Sequence, residues 1–209
     1  MFTGKVFGIG FQKTATTSLQ QALNMLGFRG VTWPHQMWPA IVAGQEKFKI
    51  LEHVQSLTDF PIPYIYRRLD KAYPDSKFIL TVRDSDSWLK SAENHFKIME
   101  APLKRLGNVS WHDQMRAEGI PVDEIHIAIY GRPDFEAEAF LSAYERHNEE
   151  VQTHFKDRPD DLLVMEMGAG DEWAQLCPFL GVSVPNAAYP KAHKTSECEP
   201  GEDLSGVRS

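Results

Sequence analysis

Residues 5–19 read Lys5-Val-Phe-Gly-Ile-Gly-Phe-Gln-Lys-Thr-Ala-Thr-Thr-Ser-Leu19. The stretch opens with a short apolar run, Val6 to Ile9, interleaved with Gly8 and Gly10. It turns polar at Gln12 and Lys13 and ends in hydroxyls. From Thr16 onward, Leu19, Ala22, Leu23 and Leu26 fall at i, i+3, i+4 and i+7, the spacing of one helix face. Gly27 stands where such a helix stops. The reading is strand, loop, helix. That arrangement aims free backbone N–H groups and the positive end of a helix dipole at one point, where an anion is the natural occupant. Lys13 adds a full charge, and Thr14, Thr16, Thr17 and Ser18 add donors.

The pattern to compare is Walker A, G-x-x-x-x-G-K-[ST]. Here Gln12 precedes Lys13 in place of glycine, and the gap from Gly8 to Lys13 is one residue short. A phosphate is therefore expected, but not a nucleoside triphosphate with its metal. An ordinary strand-to-helix turn with a solvated lysine would leave four hydroxyl residues within five positions unexplained.

Working outward, Lys77–Val82 (Lys-Phe-Ile-Leu-Thr-Val) is the clearest strand, apolar on both faces as a central parallel strand should be. Arg83-Asp84 sits at its C-terminal end, and Ser85 or Asp86 is placed to cap a following helix that carries Trp88, Leu89, Ser91 and Ala92. Strand, crossover helix, strand implies a parallel sheet, whose ligands bind at the carboxyl ends of the strands. Lys13 and Arg83 would share that edge. A second short strand is expected at Phe28–Thr32, a helix interrupted near Gly44 over Met37–Val54, and a non-helical stretch at Leu57–Pro63, which two prolines enforce. Further helices are expected at Tyr64–Tyr73, Phe135–Phe155 and Trp173–Leu180, and a strand at Leu162–Met165. The proline- and glycine-punctuated stretch of about 99–134 reads as an insertion or lid rather than core, and the polar tail from about 190 as loose.

At 209 residues the chain is read as a single domain. Its composition is that of a soluble globular protein, and its net charge of −7 argues against nonspecific nucleic-acid binding. No run approaches the apolar length of a membrane span, and no signal peptide is read at the N-terminus. Cys177 and Cys198 sit in unlike surroundings; free thiols in a reducing cytoplasm are the expectation. The eight histidines show no H-E-x-x-H and the two cysteines no C-x-x-C, so no metal site is expected.

Arg83 and Ser91 are eight residues apart. A strand-end arginine and a serine on the second turn of the next helix can converge on one phosphate, the arginine as a planar fork and the serine as a directed hydroxyl. Together with Gln12-Lys13-Thr14-Ala15-Thr16-Thr17, this pair resembles the two cofactor motifs of the sulfotransferase family, compact bacterial-type branch. In that family the first loop cradles the 5′-phosphosulfate of 3′-phosphoadenosine 5′-phosphosulfate (PAPS), and an Arg and Ser at this spacing bind its 3′-phosphate. Tyr73-Pro-Asp-Ser-Lys-Phe-Ile-Leu-Thr-Val-Arg83 with Trp88, Arg146-His147-Asn148 with Val151, and Trp173 through Pro185 are similar to further segments of the same branch. The resemblance spans nearly the whole chain and is weakest over Met99–Pro133. Two features depart from it. Ser18 replaces an aromatic that stacks on adenine in relatives, and the C-terminal Arg-Lys-Gly grip on the 3′-phosphate has no counterpart; Lys191 and Lys194 read as solvated tail lysines, with substitution for that grip as the alternative.

The resemblance implies an α/β fold, a three-layer P-loop-like parallel sheet flanked by helices. It implies sulfuryl transfer from PAPS, yielding 3′,5′-adenosine bisphosphate, to a hydroxyl or amine of a small-molecule or glycan acceptor, with no metal required. Gln12 to Ser18, Arg83 and Ser91 would bind the cofactor, and Lys13 would neutralise the leaving oxygen. Asp59, in Asp-Phe-Pro61, resembles the His-x-Pro position where relatives keep a catalytic histidine, and is expected as the base; an Asp before a proline-rich turn is otherwise a turn former. His35 and His53 are the alternatives. Trp33, Trp38, Trp111 and Tyr130 are either pocket lining or core. Two rivals remain at this point: a P-loop small-molecule kinase, and a non-catalytic nucleotide-binding protein of the same fold.

Overall fold

The computed structural model describes residues 4–103, 107–168 and 170–192. Five parallel strands form one sheet: β1 (Val6–Gly8), β2 (Gly30–Thr32), β3 (Ser56–Thr58), β4 (Lys77–Val82) and β5 (Leu162–Glu166), in the order β2-β3-β1-β4-β5. Helices connect them: α1 (Thr16–Met25), α2 (Trp38–Val42), α3 (Tyr66–Ala72), α4 (Ser85–Glu100), α5 (Trp111–Ala117), α6 (Val122–Tyr130), α7 (Ala137–Phe155) and α8 (Glu172–Leu180). The result is the expected three-layer α/β arrangement.

Alternation along the strands makes the layers. Successive side chains of a strand point to opposite faces. Val6 and Ile79 pack with Leu19, Ala22 and Leu23 of α1 and Trp173, Leu176 and Leu180 of α8. Phe7, Phe78 and Leu80 face the other way, into a larger cluster with Leu69 of α3, Trp88 and Phe96 of α4, and Phe140, Tyr144, Val151 and Phe155 of α7. With both faces covered, β1 and β4 must be apolar throughout, which is why Lys77–Val82 is so legible. On α4 the buried residues Trp88, Ala92, Phe96 and Met99 recur every three or four, and Trp88 stacks on Tyr144 with ring centroids 4.1 Å apart and planes within 6°. Truncating Trp88 to alanine would cost about 3–5 kcal/mol by the usual scale for a buried aromatic.

Three expectations need correction. The interruption expected near Gly44 is there, but the helix expected over Met37–Val54 is reduced to α2 before it and one 3-10 turn, Lys49–Glu52, after it. Gly44, at φ 75°, closes α2, with Gly44 N–H donating to Ile41 O at 3.1 Å and Gln45 N–H to Ala40 O at 3.0 Å, the paired bonds of a Schellman cap. The cap of α4 is neither Ser85 nor Asp86 but Asp84, whose carboxylate accepts from Ser87 N–H at 2.9 Å. And β3 is a fully buried strand where only a non-helical stretch was expected. Its Ser56 hydroxyl donates to Phe28 O and accepts from Gln20 Nε2, both at 2.7 Å, so its burial leaves no polar group unmet. In the stretch of about 99–134, Ile125, Ile129 and Tyr130 of α6 join the larger core cluster.

Candidate active site

The loop from β1 to α1 is held by groups from β4, α4, α6 and α7. His147 of α7 donates Nε2–H to Ile9 O at 2.7 Å. Trp88 of α4 donates its indole N–H to Gln12 O at 2.9 Å. Thr14, almost wholly buried, donates its hydroxyl to Phe11 O and shares a 2.6 Å hydrogen bond with Thr81 of β4. The Gln12 side-chain amide meets the Tyr130 hydroxyl of α6 at 3.3 Å. Gly10 lies so close to β4 that a Cβ there would collide with the hydroxyl and carbonyl oxygens of Thr81 and with the Thr14 hydroxyl. Lys13 and Ala15 both have left-handed backbones, φ 68° and 65°, a conformation disfavoured for side chains with a Cβ and often retained at ligand sites. Burial and the charges of Arg146 and Arg67 hold His147 down to about 4, against the Ile9 bond, so it is the neutral imidazole that donates.

Helix α1 begins at Thr16 with no side-chain cap from Ala15. Leu19 N–H makes the first helical bond, to Ala15 O, so the N–H groups of Thr16, Thr17 and Ser18 have no acceptor within the helix. These donors, the half-buried Lys13 and the dipole end of a ten-residue helix lie together at the carboxyl end of β1. The hydroxyls divide the work. Thr14 faces inward and shapes the loop. Thr16 donates to Asp59 Oδ2 at 2.9 Å. Ser18 accepts from Ala192 N–H at 3.0 Å, so the C-terminal segment runs back to the start of α1. Lys191 beside it is exposed; Lys194 and Cys198 lie outside the described residues.

Asp59 directly follows β3, the neighbour of β1, and its left-handed φ of 68° turns the chain at that point. One carboxylate oxygen takes the Thr16 hydroxyl and the other Phe60 N–H at 2.8 Å. Asp59 is half-buried as a residue, and its carboxyl is closely surrounded. Burial raises its pKa above the usual carboxylate range, opposed by the Phe60 and Thr16 bonds and by the Lys13 charge. On the other side of β1, β4 ends and Arg83 follows. The Tyr144 hydroxyl grips the Arg83 backbone at both ends, accepting from its N–H at 2.8 Å and donating to its carbonyl at 2.7 Å. The side chain is exposed. Ser91 lies on the second turn of α4, half-buried. Among the described residues neither side chain makes a hydrogen bond to protein. Lys13 and the start of α1 thus stand at the end of β1, with Arg83 and Ser91 beside β4 on one side and the Asp59 carboxylate beside β3 on the other.

A model of the sulfotransferase domain matches residues 5–198. The chain belongs to the sulfotransferase family. It is also 26% identical over 220 residues to the Ava biosynthesis cluster protein M of Aspergillus versicolor, covering 89% of this chain and 79% of that protein.

For a sulfotransferase, the placement of the histidines is informative. His53 precedes β3 and so stands at the amino edge of the sheet. His35 follows β2 on the carboxyl edge, its ring 3.3 Å from Trp33 O. His95 of α4 follows Trp88 by seven residues and Ser91 by four, on one stripe of the helix. Trp38 and Tyr130 are buried, Trp33 half-buried. Two surface hollows of about 240 and 230 Å³, over Arg67 and His154 and over Arg116 and Asp123, contain none of the site residues. Among the described residues no helix is long and apolar enough to cross a membrane, and no cluster of His, Cys, Asp or Glu is arranged to hold a metal.

Proposed function

We propose that this sulfotransferase moves a sulfuryl group from PAPS to a hydroxyl of a small-molecule acceptor, with Lys13 and Asp59 as its catalytic residues. The observation that carries the reading is the uncapped start of α1 with Lys13 beside it, set between Asp59 on one neighbouring strand and Arg83 with Ser91 on the other. The donors at α1, the exposed Arg83 side chain and the Ser91 hydroxyl suit a ligand with anionic groups at two ends.

When bound, PAPS supplies a sulfuryl group whose bond to the bridging phosphate oxygen breaks as the acceptor oxygen bonds to sulfur. Asp59, ionised, takes the proton leaving the acceptor O–H. Lys13 neutralises the negative charge that develops on the departing phosphate oxygen. The N–H groups of Thr16, Thr17 and Ser18 and the Thr17 hydroxyl hold the phosphosulfate oxygens in line. Gln12, Thr14 and Ala15 keep the loop in shape, and Arg83 and Ser91 hold the 3′-phosphate.

Thermal unfolding tests this directly, with 3′,5′-adenosine bisphosphate, 5′-AMP, and ATP plus magnesium as ligands. A ligand at one hundred times its dissociation constant adds about 2.7 kcal/mol, a rise of roughly 5–10 °C for a chain of this size. The bisphosphate is expected to give the largest rise, with no metal present. A larger rise with ATP and magnesium would instead mark a kinase.

A further inference from the structure

Thr16 works in two directions. As the first residue of α1, its N–H has no acceptor within the helix and is left for an anion. Its hydroxyl donates to Asp59 Oδ2 at 2.9 Å. Both partners in that bond are held by groups outside it. Thr16 is buried, and its carbonyl accepts from the Thr58 hydroxyl at 3.4 Å, which ties the start of α1 to the end of β3. Asp59 turns through its left-handed φ of 68°, and its second carboxylate oxygen accepts from Phe60 N–H at 2.8 Å. The Phe60 ring that follows is wholly buried, edge-on to Phe11 with centroids 5.3 Å apart.

A hydroxyl carries one proton and two lone pairs. The proton given to Asp59 cannot also go to a phosphate oxygen, and toward that oxygen the Thr16 hydroxyl would present only lone pairs. Turning it away would leave a closely surrounded carboxylate one charge-assisted bond short. The sequence counts this hydroxyl among the donors for an anion; the structure commits its proton to the carboxylate beside it. The N–H groups of Thr16, Thr17 and Ser18 and the Thr17 hydroxyl remain for the anion.

We propose that Thr16 is a positioning residue for the Asp59 base, its hydroxyl bound to the carboxylate with or without the cofactor while its N–H serves the phosphosulfate. The inference rests on the sulfotransferase reading of the same site. One residue then sets the spacing between base and anion, which an in-line transfer needs held. Burial is the largest influence on the Asp59 carboxyl and raises its pKa; the Phe60 bond, the Thr16 bond and the Lys13 charge lower it. From α6, Tyr130 is the other titratable group in reach of Asp59, and burial holds its hydroxyl well above the ordinary range, so it stays neutral wherever a carboxyl titrates. Loss of the Thr16 bond therefore moves the Asp59 midpoint further up.

The test reads Asp59 directly and needs no acceptor. Carboxyl carbon resonances of the full chain are followed by NMR against pH, free and saturated with 3′,5′-adenosine bisphosphate, with Asp59 assigned by its loss in Asp59→Asn. Thr16→Val keeps the side chain's shape without its proton, and Thr16→Ala removes the hydroxyl without setting a methyl against the carboxylate. Each should raise the Asp59 midpoint in both states, while bisphosphate affinity by titration calorimetry stays within about twofold of wild type. The ligand's own phosphates titrate alike in every variant, so the difference from wild type belongs to Thr16. Thr16→Ser should restore the wild-type midpoint, which a role in packing alone would not allow. An unmoved midpoint in Thr16→Val and Thr16→Ala, or a shift that disappears once the bisphosphate is bound, overturns the proposal and leaves the cofactor reading intact. So does a loss of bisphosphate affinity of about tenfold or more in both variants, the size of one charge-assisted bond, which would return the hydroxyl to the cofactor. A wild-type protein that does not bind the bisphosphate overturns the sulfotransferase reading, and this inference with it.

Discussion

Replacing Asp59 by asparagine separates what the carboxylate does for the fold from what it does for the reaction. In the structure one oxygen accepts from Phe60 N–H and the other from the Thr16 hydroxyl, at 2.8 and 2.9 Å. Asparagine keeps the first bond through its carbonyl, and its amide can donate to Thr16 Oγ once that hydroxyl rotates. Two charge-assisted bonds become neutral ones, a loss of about 1 kcal/mol each at most, offset by removal of a buried charge. The expected change in melting temperature at neutral pH is thus only a few degrees. Turnover should behave differently: losing the base should reduce kcat/KM roughly 10²–10⁴-fold with an aliphatic alcohol, and less with an acidic phenol. Because burial raises the Asp59 pKa, the wild-type rate should climb with pH through that raised value and level off above it, and Asp59→Asn should lack the acid limb. Linkage has a definite sign here. A raised folded-state pKa means that stability is lost as pH rises from the unfolded to the folded value, so the variant should gain on the wild type across that window. Stopped-time assays with PAPS and calorimetry across pH read both quantities. Near wild-type turnover on the aliphatic alcohol, in a folded variant, would remove Asp59 from the mechanism.

Lys13→Ala should abolish turnover while the protein still binds 3′,5′-adenosine bisphosphate, because its charge matters most as the leaving oxygen departs; a single-turnover assay decides it. Arg83→Ala should erase most of the preference for the bisphosphate over 5′-AMP, about 1.5–3 kcal/mol of binding by titration calorimetry, and full discrimination in that variant would move the 3′-phosphate elsewhere. Gly10→Ala should destabilise the fold by about 1–3 kcal/mol, the usual range for overpacking, measurable as a drop in denaturation midpoint, since β4 backbone cannot withdraw from the new methyl.

The sequence made some of this plain and hid the rest for identifiable reasons. Lys77–Val82 announced itself because both faces of the sheet are covered, leaving no polar alternation to blur it. The β1 loop was equally clear, since glycines, a lysine and a hydroxyl run are local signals. β3 was not, because three residues are too few to show a period and two of them are polar. The inward turn of Thr14 was also hidden: it depends on Thr81, sixty-seven residues away, and no local rule links the two.

The loop's carbonyls at Ile9, Phe11 and Gln12 are tied to a histidine, a threonine and a tryptophan. Most of its disorder was therefore surrendered when the chain folded. Ligand capture should then resemble filling a mould rather than winding a spring: association should be limited by encounter and not by rearrangement of the loop. Amide exchange at Ile9 and Thr14, whose N–H groups donate to Ile79 O and Phe11 O, should be slow in the free protein and little slower in the complex. Substitutions at Trp88 or His147, which touch no ligand, should then loosen binding by restoring freedom to a segment that natively has little.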